Sequence, residues 1–138
     1  MKKIALIACV SKKLDYKSKA KELYISPLFQ KNMAYSKKIG VDKVYILSAK
    51  YGLLNLDDKV EPYDLTLNKM KTKEKKEWSL RILKELKRLE NFDSTTFIFL
   101  AGENYRKYLI KEMLYYEIPM RGLKIGEQLQ FLKKAIDE

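Results

Sequence analysis

Apolar residues recur along this chain in two ways: as short continuous runs, and as stripes spaced three or four positions apart. The runs are Ile4 to Val10, Val44 to Leu47 and Thr96 to Ala101, with a shorter one from Tyr115 to Ile118 that Pro119 stops. Their length and their β-branched and aromatic content predict strands buried on both faces. Strands of that kind belong to sheets covered on both sides, usually parallel and joined by helices.

The stripes lie between and after the runs. Ser26-Pro27 pairs an N-cap with proline at the first helical position, and Gly40 ends that segment as a C′ residue would. Leu28, Phe29, Met33 and Ile39 are its expected inner face. Thr72 is the expected cap of a second helix, in which Trp78, Ile82, Leu86 and Leu89 recur and Trp78 is assigned to packing. Tyr105, Tyr108, Leu109 and Met113 predict a third helix; Ile125, Leu129, Leu132 and Ile136 predict a fourth. The fold expected is a three-layer α/β sandwich with a mainly parallel four-stranded sheet and helices on both faces. No repeat or Gly/Ser linker divides the 138 residues, so one domain spans 1–138.

Composition narrows the chemistry. At 46% hydrophobic and 34% charged the chain is too apolar to be disordered and too interrupted to span a membrane. With no histidine, Ser-His-Asp and Cys-His nucleophiles and imidazole metal sites are excluded. The single cysteine, Cys9, excludes an internal disulfide and every CxxC motif. Only Lys2 and Lys3 precede the first apolar run, which is too short for a signal-peptide core, so a cytoplasmic protein with no membrane partner is expected.

The net charge of +11 is unevenly spread. Residues 1–50 hold 12 basic and 3 acidic side chains, and so carry +9. Such a segment fits an electropositive face toward phosphates; it also fits a plain solvated lysine surface. The 4 arginines, Arg81, Arg88, Arg106 and Arg121, are scarcer and more informative than the 25 lysines.

In a sheet of this kind ligands bind at the carboxyl ends of the strands. That rule selects Cys9 to Tyr16, Ser48 to Leu54, Gly102 to Arg106 and Met120 to Gly122. Ser11 with Lys12 or Lys13 is a candidate for phosphate oxygens, and Tyr51 or Tyr105 for stacking on a base. Ser48, Lys50, Arg106 and Arg121 add polar and cationic groups, while Gly52 and Gly102 permit close backbone approach. Plainer readings stand beside these. Ser11 and Ser48 can cap loops, Gly52 can supply a positive-φ turn, and Tyr105 and Tyr108 can be core tyrosines. Cys9 reads as a small buried hydrophobe ahead of a lysine-activated nucleophile.

The segment Asn55 to Leu67 is an acidic island with Asp57, Asp58, Glu61 and Asp64. Thirteen residues of loop would be long for so small a domain. Pro62 presets φ and aims Tyr63 and Asp64. Asp64 is a candidate general base, with a loop-fastening salt bridge as the alternative. Asp57, Asp58 and Glu61 lack EF-hand spacing, so no metal is expected, and no cofactor either.

The string Ile46-Leu-Ser-Ala-Lys-Tyr-Gly-Leu-Leu54, followed by Pro62-Tyr-Asp-Leu-Thr-Leu67, resembles a widespread small domain of bacteria, archaea and phages. That domain is in turn similar to the YaaA-like peroxide-stress proteins, with their LSxxYGxL…PY signature. Ala8 to Lys13, Leu23 to Phe29, Ala101 to Tyr105 and Pro119 to Leu123 fit the same pattern. The Cys9-Val-Ser-Lys-Lys13 stretch is similar to the CSxxKPYS stretch of archaeosine synthase, although Val10 separates Cys9 from Ser11 and no proline follows Lys13. The resemblance implies a sandwich akin to uracil-DNA glycosylases and a link to nucleic acid or nucleobases.

The function expected is therefore nucleobase or nucleic-acid processing, as in base modification or N-glycosidic cleavage. Asp64 and Lys13 are its candidate catalytic groups, and a partner that is nucleic acid (DNA ahead of RNA) or a nucleotide is expected. A non-catalytic DNA- or RNA-binding protein and a small-nucleotide binder are the alternatives.

Overall fold

The computed structural model describes residues 1–8 and 12–138. Among them the strands are β1 (Lys2–Ala8), β2 (Ser18–Lys19), β3 (Lys43–Ser48), β4 (Gly52–Asn55), β5 (Lys59–Val60), β6 (Thr95–Leu100) and β7 (Tyr116–Glu117). The α-helices are α1 (Ala20–Leu23), α2 (Pro27–Lys38), α3 (Thr72–Leu89), α4 (Glu103–Arg106) and α5 (Ile125–Asp137). The main sheet runs β4-β3-β1-β6-β7, with β3, β1, β6 and β7 parallel and β4 antiparallel on the edge.

Strand alternation splits the core into two halves. Ile4, Leu6, Tyr45, Leu47, Phe97 and Phe99 point to the face that α3 covers with Trp78, Ile82, Leu83 and Leu86. Ala5, Ile7, Ile46 and Leu100 point to the other, where Phe29 of α2 and Leu132 of α5 close over them. Every residue of β1 from Ile4 to Ile7 is fully buried, which is why that run carries no polar position. This is the α/β sandwich expected, with four parallel strands where the apolar runs lie.

Four local expectations are corrected. The segment after β3 is a hairpin: Gly52, at φ +79°, turns the chain back so that β4 pairs with β3. Asn55 to Leu67 is no continuous loop, because β5 pairs antiparallel with β2 and buries Val60. Thr72 is the first residue of α3 rather than its cap; the amide of Lys71 before it donates to the Glu74 carboxylate at 3.2 Å. The third helix stops after one turn at Arg106. Tyr105, Leu109 and Met113 still face the core, but three-residue turns such as Leu109 N to Arg106 O (2.9 Å) carry the chain between them.

The α2 boundaries are as expected. Ser26 Oγ accepts from the Phe29 amide at 3.2 Å, Pro27 opens the helix and Gly40 follows it at φ +72°. Its inner face differs: Phe29, Asn32 and Ser36 are the buried positions, while Leu28, Met33 and Ile39 are half-buried.

Candidate functional site

The chain leaves β1 toward β3 on one side and leaves β6 toward β7 on the other. The carboxyl ends of β1 and β6 therefore flank the topological switch point, where open α/β sheets form their ligand crevice. The neighbouring turns are built around it.

The turn after β3 is fixed from within. Ser48 is fully buried; its hydroxyl accepts from the Tyr51 amide at 2.9 Å, and its carbonyl accepts from the Trp78 indole at 2.9 Å. Arg81 of α3 lies over Gly52, with Nε 3.4 Å from the point a Cβ would occupy. Ser48 and Gly52, expected among binding groups with turn-forming roles as the alternative, are buried and form this turn.

What the turn presents is Tyr51. Its ring meets Tyr63 edge-to-face at 5.6 Å, and its hydroxyl donates to the Glu61 carbonyl at 3.1 Å. Tyr63 shares a 2.7 Å hydroxyl–hydroxyl hydrogen bond with Tyr24. Lys13, held by a bridge to Tyr24, places Nζ 4.7 Å from the Tyr63 ring and 5.8 Å from the Tyr24 ring. Such cation–ring contacts are worth roughly 0.5–1 kcal/mol at exposed sites. Lys50 lies over the outer part of the cluster, 5.3 Å from the Tyr51 ring.

From Tyr63 the chain crosses the rim toward β6. The Leu67 amide donates to the Tyr105 hydroxyl at 3.3 Å, and the Asn104 amide group donates to Asn68 Oδ1 at 2.8 Å. Asp64 is exposed on this strap, between the Tyr63 and Tyr105 attachments. Tyr105 is buried edge-to-face against Trp78 at 5.6 Å, so it supports the rim instead of offering a ring for stacking.

Under the strap, between β1 and β6, lies a crevice of about 310 Å³ lined by Ala8, Ser26, Pro27, Gly102, Tyr105 and Gln128 among others. Its size is at the lower end for small-ligand sites. Gly102, at the end of β6, has open space where a side chain would be. On the β6–β7 side, Arg106 and Arg121 line a second groove of about 410 Å³ with Glu103. Burial lowers the Arg106 pKa from its ordinary value; Glu103 opposes that shift and Arg121 adds to it. Arg106 Nη1 donates to the Ala101 carbonyl at 2.7 Å, which fixes the guanidinium at the end of β6.

The rim thus gathers Lys13, Tyr51, Tyr63, Gly102 and Arg106 from turns far apart in sequence, with Arg121 exposed at its outer end. Lys12 is exposed, and its carbonyl accepts from the Ile25 amide at 3.0 Å. Ser11 and Cys9 lie outside the described residues. Two carboxylates of the acidic island, Asp57 and Asp58, are committed elsewhere. Asp57 pairs with Lys21 at 3.1 Å and Lys19 at 3.9 Å, and the Lys21 hydrogen bond leads in lowering its pKa. Asp58 Oδ2 accepts from the Asn55 amide at 2.8 Å. Among the described residues no cluster of three potential metal-ligating side chains forms.

Sequence reasoning missed Asn32, Gln128 and Tyr24. The first had a usable signal: from Phe29, steps of three and seven along a helix land on Asn32 and Ser36. Gln128 and Tyr24 had none, because tertiary packing alone brings them to the rim.

No described helix is long and apolar enough to cross a membrane. No curated protein and no solved structure matches the chain. The family model that does match, DUF6884, described as a family of unknown function, covers residues 4–134, nearly all of the 138. The chain belongs to the DUF6884 family.

Proposed function

We propose that this protein binds nucleotides or nucleic acid at the carboxyl rim and acts on the base or its glycosidic bond. The observation that carries this reading is the crevice between β1 and β6, with Lys13 over Tyr63 of the strap that crosses it and Arg106 with Arg121 in the neighbouring groove. A base enters the crevice, and phosphates meet these cations. The resemblance of the LSAKYGLL and PYDLTL strings to YaaA-like proteins points the same way.

Asp64 is the proposed base. It takes a proton from water as the water oxygen bonds to the anomeric carbon. The bond from that carbon to the base breaks, the base keeps the electron pair, and solvent supplies its proton. The alternative of a purely electrostatic DNA- or RNA-binding module draws on the +9 of residues 1–50. It is weakened by Asp57, which already engages Lys19 and Lys21.

The test is binding and base release measured on nucleoside monophosphates and on single- and double-stranded DNA and RNA across a salt series. Lys13→Ala should weaken binding about tenfold and flatten the salt slope by one contact. Asp64→Ala should abolish base release and spare binding. Binding without any release leaves the module reading; no binding by the wild-type protein overturns both.

A further inference from the structure

Asn32 is a polar side chain on the buried face of α2, only 2% exposed. Its Oδ1 has no hydrogen-bond partner among the described residues. A buried acceptor left unpaired costs roughly 1–3 kcal/mol, a penalty native folds seldom carry without a reason. Asn32 lines a small cavity of about 50 Å³, shared with Ala8, Gly102, Arg106, Met120 and Gln128 at the carboxyl ends of β1 and β6.

The neighbouring donors are directed elsewhere. Gln128 Nε2 donates to the Leu123 carbonyl at 2.9 Å, and Arg106 Nη1 to the Ala101 carbonyl at 2.7 Å. The Asn32 acceptor is therefore left for something that enters. Ala8, Leu28, Gly102 and Gln128 line both this cavity and the 310 Å³ crevice, so the cavity adjoins the crevice. The crevice walls include Pro27, Phe29, Ile125 and Leu129, which suit the faces of a flat ring.

We propose that Asn32 is the base-reading residue of the site: its Oδ1 accepts a ring N–H from the edge of a nucleobase whose faces lie between those apolar walls. The proposal rests on the nucleotide reading above and deepens it by assigning which edge of the base is read. Arg106 lines both the cavity and the outer groove, so the phosphate of the same ligand leaves toward Arg106 and Arg121.

The experiment compares thymidine monophosphate and guanosine monophosphate with their ring-N-methylated forms, by calorimetric titration of the wild-type protein and Asn32→Leu. With wild-type protein, methylation of the ring N–H should weaken binding of at least one of the two by about tenfold or more. Asn32→Leu should lose that discrimination and also melt at a higher temperature, because it removes an unpaired buried acceptor. Equal binding of parent and methylated ligands to the wild-type protein overturns the proposal and leaves the nucleotide reading standing. So does an Asn32→Leu protein that melts lower and keeps the discrimination. Failure of the wild-type protein to bind any of the four ligands overturns the proposal, and the reading it rests on falls as well if the DNA and RNA of the salt series also fail to bind.

Discussion

Tyr45 on β3 donates a 2.6 Å hydrogen bond to Oε2 of Glu90, the residue that ends α3. The other carboxylate oxygen accepts from Lys2 at 2.8 Å, so one buried carboxylate ties β3, α3 and β1 together at the amino edge of the sheet. Burial pushes the Glu90 pKa up, but the hydrogen bonds from Lys2 and Tyr45 outweigh it and hold the carboxyl below its ordinary 4.5. The same contact and burial raise the Tyr45 pKa well above its usual value.

Tyr45→Phe keeps the ring and removes the donor from a buried charge. It should cost about 1.5–3 kcal/mol, the range for a hydrogen bond to an ionised group. Urea denaturation at pH 7 reads the loss as a lower midpoint at unchanged slope. An unchanged midpoint would mean that Glu90 is satisfied by Lys2 alone.

Because the folded pKa of Glu90 is depressed, its contribution is complete above the ordinary value of 4.5 and drains away as pH falls through the folded value. Wild-type stability should therefore fall more steeply below pH 4.5 than that of Glu90→Gln. Melting curves from pH 6 to pH 3 test this. Parallel acid limbs for the two proteins would rule out Glu90 as a source of the acid sensitivity.

Two glycines at positive φ separate backbone strain from crowding. Gly40, at φ +72°, has open space beside it, whereas Gly52, at φ +79°, sits beneath Arg81 and Ile82. Gly40→Ala should cost about 1–2 kcal/mol from conformation alone. Gly52→Ala should cost about the same, since Arg81 and Ile82 at 3.4–3.5 Å leave the new methyl in ordinary van der Waals contact. A clearly larger loss at Gly52 in thermal denaturation would show that the packing under Arg81 adds to the backbone strain.

Ser26→Ala removes the hydroxyl that caps α2 and should cost about 1 kcal/mol. Ser26→Asp should recover most of it, because a carboxylate caps as well and favours a helix N-terminus. Far-ultraviolet melting of the three proteins gives the order. A Ser26→Asp protein no better than Ser26→Ala would mean that burying the carboxylate at this 5% exposed position costs as much as the cap returns.

The inner parallel strands β3, β1 and β6 were readable because burial on both faces leaves few polar positions, as Ile4 to Ile7 shows most plainly, whereas β7 at the edge is exposed at Tyr116 and Glu117 against the burial expected of its run. The strands β2, β4 and β5 were not, since two to four residues carry no periodicity and their pairing is decided by turns such as Ser48–Gly52. The stripe Tyr105, Leu109, Met113 reported burial correctly but not helix, because three-residue turns bring the same residues inward. At the rim the turns themselves were located from the position of strand ends. The roles within them were harder to read: Ser48 turned inward to hold Tyr51, and Asn32 was passed over because α2 was read by its apolar residues alone.

The described hydrogen bonds that fasten the strap across the rim, at Tyr24–Tyr63, Tyr51–Glu61 and Leu67–Tyr105, join neutral groups, and the Lys13 contact with the Tyr63 ring is the charged one. Dissolved ions shield charges at a distance and leave such short neutral bonds almost untouched. Raising ionic strength should therefore weaken the proposed polyanion contacts at Lys13 and Arg121 without unfastening the strap above the crevice. Salt becomes a selective reagent for this protein: it dials the pull of the cations up or down while the shape of the opening stays the same.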